Sequence, residues 1–106
     1  MPFLYAVINS GQAVSGNLDL TKYGLSAIAI PPVASATDLL VQGAFTTTSA
    51  DFVRLQASRP NTDVRFSIGT GSNMVLWPAD LPSPPYARLE TSVTQTDVRT
   101  FTALVR

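Results

Sequence analysis

Alternation with a period of two is the dominant pattern along this 106-residue chain. Leu39, Val41, Gly43 and Phe45 fall on one side of an extended segment, Val64, Phe66 and Ile68 on one side of a second, and Phe101, Ala103 and Val105 on one side of a third. Successive side chains of a strand point to opposite faces, so each set reads as a strand with one face buried. Between these segments lie Asn9-Ser10-Gly11, Tyr23-Gly24, Pro31-Pro32, Arg59-Pro60-Asn61 and Gly69-Thr70-Gly71-Ser72-Asn73, which supply the residue types that turns require. The pattern predicts about eight strands, near 3–8, 13–20, 25–30, 38–45, 52–57, 63–68, 73–77 with 86–91, and 97–105.

No window carries a sustained apolar stripe at i, i+3, i+4 and i+7, and the chain is rich in Thr, Ser and Val, so helix is limited to single turns such as Ser35 to Leu39 and Pro78 to Leu81. Proline at the first position of the second is preorganised for helical φ. Many short strands joined by turns, without intervening helices, indicate an all-β fold: an antiparallel β-sandwich or small barrel, jelly-roll-like. No repeat, low-complexity tail or linker divides the chain, so residues 1–106 are expected to form one domain. At this size roughly 60 to 70% of the unfolded chain's surface is buried on folding, enough for a core without covalent staples.

The stretch from Trp77 to Tyr86 contains half of the eight prolines and the single tryptophan. Proline fixes its own φ and biases the preceding residue toward extended backbone, so this loop holds its shape without a hydrogen-bond ladder. Two readings stay open: a crossover that closes one end of the sandwich, and an exposed contact loop anchored by Trp77 or Tyr86.

Composition narrows the chemistry. Histidine and cysteine are both absent, which removes Ser-His-Asp and Cys-His nucleophiles and the usual transition-metal ligands, and leaves paired carboxylates, lysine or tyrosine as the chemical groups. The chain is therefore expected not to be an enzyme and to use no cofactor or metal. Seven basic residues balance seven acidic ones, giving no overall field toward nucleic acid or anionic lipid. The apolar stretches Phe3 to Ile8 and Ser26 to Val33 fall far short of the roughly 20 residues of a membrane helix, and no signal-peptide pattern opens the chain. A soluble protein without nucleic-acid or membrane partners is the expectation, and the lack of cysteine leaves its redox compartment open.

Of the candidate motifs, Gly69-Thr70-Gly71-Ser72 lacks the lysine of a phosphate-binding loop and the strand-turn-helix context of a dinucleotide fingerprint, and reads as a hairpin turn. Asp51 with Asp63, or Glu90 with Asp97, could pair across strands as glycosidase carboxylates do. Without a supporting signature they read as solvated loop acids, with Asp38 and Asp51 capping turns. Arginine outnumbers lysine six to one, and arginine makes planar multi-donor contacts at protein interfaces. Arg54, Arg65, Arg88 and Arg99, together with Trp77 and Tyr86, are the candidate interface residues. The alternative for the arginines is an ordinary solvent face opposite apolar neighbours such as Phe66 and Leu89.

Ser10-Gly11, Ser15-Gly16, Asp19-Leu20, Gly24-Leu25, Ile28, Pro31, Leu40 and Gln42-Gly43 form one series, and Trp77-Pro78-Ala79-Asp80-Leu81, Tyr86-Ala87-Arg88-Leu89, Gln95, Arg99 and Leu104-Val105-Arg106 a second. Together they resemble a family of short tailed-bacteriophage virion proteins that includes capsid decoration, or cement, proteins. The chain departs from that pattern at Ala44-Phe45-Thr46-Thr47-Thr48 and at Glu90-Thr91-Ser92-Val93. The resemblance implies a non-enzymatic virion component on the capsid surface, made in the host bacterial cytoplasm. It further implies the major capsid protein and further copies of the chain, as a homotrimer, for partners. From a different class, a glycan-binding β-sandwich of a phage tail or secreted lectin would show a shallow groove with exposed aromatics and several Asp, Asn or Gln groups.

Overall fold

The computed structural model describes residues 2–33, 38–56, 64–68, 73–78 and 83–106. Among these described residues nine strands follow in chain order: β1 Phe3–Ile8, β2 Leu18–Asp19, β3 Leu25–Ile30, β4 Asp38–Ala44, β5 Val53–Arg54, β6 Arg65–Ser67, β7 Asn73–Leu76, β8 Tyr86–Thr91 and β9 Arg99–Val105. They form two antiparallel sheets. The first is ordered β1-β9-β3-β7; in the second, β2-β8-β4 is continued by β5 and β6, which both pair with β4. β5 lies against Gln42 and Gly43, and β6 against Asp38 to Leu40, along the edge of β4 that faces away from β8. Taken as one interrupted strand they reduce the count to eight, and the chain then steps between sheets in the order of a jelly roll.

The core lies between the sheets. From the first sheet it receives Ala6, Ile8, Ile28, Ile30, Phe101, Ala103 and Val105, and from the second Leu18, Leu39, Val41, Ala87 and Leu89, all buried. Phe101, Ala103 and Val105 occupy the inward positions that the alternation predicts, as do Leu39 and Val41. Phe45 does not. Strand pairing ends at Ala44 opposite Tyr86, the chain leaves the sheet there, and Phe45 is 88% exposed. Leu40 is buried as well, on the outer face of the second sheet, where its register partners are Arg65 and Glu90.

The strand expected over 13–20 is shorter. Ladder pairing is confined to Leu18–Asp19, with an isolated bridge from Val14 to Glu90. Between them the Ser15 hydroxyl accepts the Leu89 N–H at 2.9 Å in place of a backbone carbonyl, which holds the segment against β8 without regular pairing. Segments 73–77 and 86–91 fall in opposite sheets: β7 pairs with β3, and β8 with β4. A 3-10 turn forms at Ser49–Asp51, closed by Asp51 N–H to Thr48 O at 3.0 Å. The two helical turns expected near 35–39 and 78–81 lie largely outside the described residues, as do the turns at 59–61 and 69–72.

Candidate functional site

The register decides which of the six candidate residues meet. In β8 the side chains of Ala87, Leu89 and Thr91 are buried, so Tyr86, Arg88 and Glu90 point outward. Across the ladder, Arg88 aligns with Gln42 and Gln42 with Arg54, while Glu90 aligns with Leu40 and Leu40 with Arg65. Arg54, Arg65, Tyr86 and Arg88 therefore share the outer face of the second sheet.

Their charges are satisfied within the chain. Arg54 grips Glu90 with two donors, Nε at 3.0 Å and Nη2 at 2.6 Å, and Gln42 donates to the same carboxylate at 3.1 Å. Arg65 meets Asp38 at 2.9 Å. Arg88 donates to Asn17 at 2.8 Å and to Ser49 at 3.0 Å, and its guanidinium lies 4.1 Å from the centroid of the Phe52 ring. The Arg54 hydrogen bonds hold the Glu90 carboxyl below the ordinary glutamate range, against the opposing effect of burial. Asp19 is held low too, chiefly by the Thr21 hydroxyl at 2.6 Å. In both cases hydrogen bonding to the ionised form dominates, which is how a structural carboxylate is held ionised.

The other two candidates lie elsewhere. Trp77 is buried in the core at 7% exposure, with its ring 6.2 Å from that of Phe66 and its backbone N–H donating to Ser26 O at 3.0 Å. Arg99 opens β9 and donates to the Gln95 amide oxygen at 3.3 Å. Gln95 itself is fully buried: its amide nitrogen donates to Thr91 Oγ1 and Val93 O, and its backbone meets Gln12 O and Gly11 N–H. It pins the loop before β9 onto the loop after β1. Asp63, the possible partner of Asp51, lies outside the described residues, and Asp51 accepts the Thr46 hydroxyl at 2.6 Å. Among the described residues no three His, Cys, Asp or Glu side chains gather in a metal-binding group, and no helix is long and apolar enough to cross a membrane.

The outer face of the first sheet has the opposite character. Its first row runs Phe3, Leu104, Ala27, Leu76, its second Tyr5, Thr102, Ala29, Met74, and its third begins with Val7 and Thr100. These ten side chains include no charge. Phe3 is 55% exposed, Tyr5 64%, Val7 37%, Met74 58% and Leu76 74%. Scattered exposed apolar residues are ordinary, but a contiguous set that spans all four strands of a sheet marks a contact surface. Arginine content pointed to the second sheet and missed this face. The signal was present in the sequence: Phe3 to Ile8 is apolar at every position, and a strand apolar on both sides is one that is covered on both sides.

A second apolar feature is a cleft of about 320 Å³ between Phe45, Val53, Leu55, Pro84 and Pro85, floored by Gly43. A Cβ on Gly43 would approach Pro84 to 2.8 Å and Leu55 to 2.9 Å, so glycine is what lets that proline and leucine rest on β4. Asp51 supplies the one ionisable group of its lining.

No family model matches the chain, and no curated protein matches it.

Proposed function

We propose that this chain is a non-enzymatic structural protein of a tailed-bacteriophage particle, one that binds the assembled capsid and cements it. The observation that carries this reading is the charge-free apolar face across β1, β9, β3 and β7, a surface for assembly with other chains, on a sandwich whose other outer face engages Arg54, Arg65 and Arg88 with partners within the chain. A protein built this way acts by occupying surface, and its energetic contribution is linkage: a ligand that binds the closed shell and not its dissociated subunits stabilises the shell by mass action. The sequence resemblance is what suggests the particle, and the apolar sheet face is a surface suited to assembly. The glycan-binding alternative finds less support: the cleft has the exposed Phe45 ring, but Thr46 and Asp51 are the polar side chains of its described lining, whereas sugar recognition needs several polar groups converging beside such a ring.

The test is co-sedimentation of the purified protein with empty shells of the major capsid protein of the same phage, run in parallel with that capsid protein unassembled. The expected result is saturable binding to shells and none to free subunits. Failure to sediment with shells overturns the reading.

A further inference from the structure

We infer that the apolar outer face of the β1-β9-β3-β7 sheet is covered by a second copy of this chain, and that the capsid is met by other parts of the surface. The inference concerns the face on which the proposed function rests, and it names that face's occupant.

Composition is the first argument. Interfaces with independently folded partners are about as polar as the rest of a protein surface, whereas contacts between identical chains are more apolar. Here all ten strand positions of the face are uncharged, and Thr100, Thr102 and the Tyr5 hydroxyl are its polar groups. An uncharged face also meets its own copy without like-charge repulsion, the usual obstacle to self-association.

Area is the second argument. Taking about 200 Å² for a large side chain fully exposed, the open fractions of Phe3, Tyr5, Val7, Met74 and Leu76 leave on the order of 500 Å² of apolar surface per copy. Two such faces together remove about 1,000 Å² of apolar surface from water, the minimum for a specific interface before its polar and main-chain area is added. Sheets also stack face to face through interdigitated side chains, so the geometry requires no rearrangement of the fold.

The edge of the same sheet is the third argument. β1 is its terminal strand. Val105 N–H bonds to Pro2 O, so the alternation of an antiparallel ladder turns the main-chain groups of Leu4, Ala6 and Ile8 toward β9 and those of Phe3, Tyr5 and Val7 outward. An edge of six uncharged residues without an internal proline is one that proteins ordinarily guard with charge or a bulge. Burial between copies removes that liability and covers Phe3, Tyr5 and Val7 by side chain and backbone together.

Light scattering with size-exclusion chromatography provides the measurement, on the full chain and three variants. Tyr5→Lys and Leu76→Lys place a charge at opposite margins of the face, on side chains that already meet solvent. Ser67→Lys places the same charge on the outer face of the other sheet. The expected result is an oligomer for the wild type and for Ser67→Lys, and an association at least tenfold weaker in the other two. All four should keep the same sheet-type circular dichroism spectrum, which shows that the variants remain folded. A monomeric wild type overturns the inference, and so does an oligomer that survives both Tyr5→Lys and Leu76→Lys. Shell sedimentation of the same samples separates the two readings. A wild-type monomer that binds shells defeats this inference and leaves the capsid reading intact. An oligomer dissolved by the face variants that ignores shells does the reverse.

Discussion

At the scale of single residues, the arginines show how strongly register, and not side-chain type alone, arranges this surface. Arg54, Arg65 and Arg88 are on an outer sheet face, where strand positions in the sequence placed them. Their partners Glu90, Asp38 and Asn17 lie 36, 27 and 71 residues away along the chain and are brought close by register. Sequence separations of that size carry no local signal. Gln95 is similar: a buried glutamine with its amide fully engaged cannot be told in a sequence from a surface one. The Glu90 site has a measurable consequence. Because the folded carboxyl titrates below its unfolded value, its contribution to stability is present above the unfolded pKa, roughly 4.3, and is lost as pH falls through the lower folded value. Acid unfolding of the wild type should therefore steepen below about pH 4.3 relative to Glu90→Gln. Parallel slopes in the two proteins would show that the Arg54 contact does not shift the titration.

At the scale of elements, the strands legible in the sequence were those bounded by strong turn residues. The ranges 3–8 and 25–30 match β1 and β3, because each is a continuous run of strand-forming side chains closed by Asn9-Ser10-Gly11 or Pro31-Pro32. Elements held by side chains were not legible: ahead of β2 the Ser15 hydroxyl takes the Leu89 N–H in place of a backbone carbonyl, and the turn at Ser49–Asp51 is too brief to show a period. The placement of 73–77 and 86–91 in opposite sheets was equally hidden, since alternation tells which side chains face inward and not which sheet they belong to. Trp77 closes the end of β7. Among the Trp77 readings, its burial beside Phe66 makes it part of the core, so Trp77→Ala should cost roughly 3 to 5 kcal/mol, the range for deleting a large buried aromatic. Thermal melting checks this, and an unchanged midpoint would mean that the ring contributes little to closing the sandwich.

At the scale of the whole molecule, the all-β class and the jelly-roll winding followed from the spacing of turns and the lack of helical stripes. The division of labour between the two outer faces did not, although continuous apolarity in β1 and the Met74 and Leu76 pair in β7 carried it in part. One face is knitted by ion pairs, each worth about 0 to 1 kcal/mol at a solvent-exposed site, and the other is left apolar for contact. We propose that a sandwich so arranged, assembled through its apolar face, stabilises a capsid. Differential scanning calorimetry of empty shells, titrated with the purified protein, tests it most directly. The shell transition should rise with protein concentration, following the logarithmic dependence that mass action requires, while the transition of unassembled capsid protein stays where it is. A shell transition that does not move at saturating protein would contradict the account.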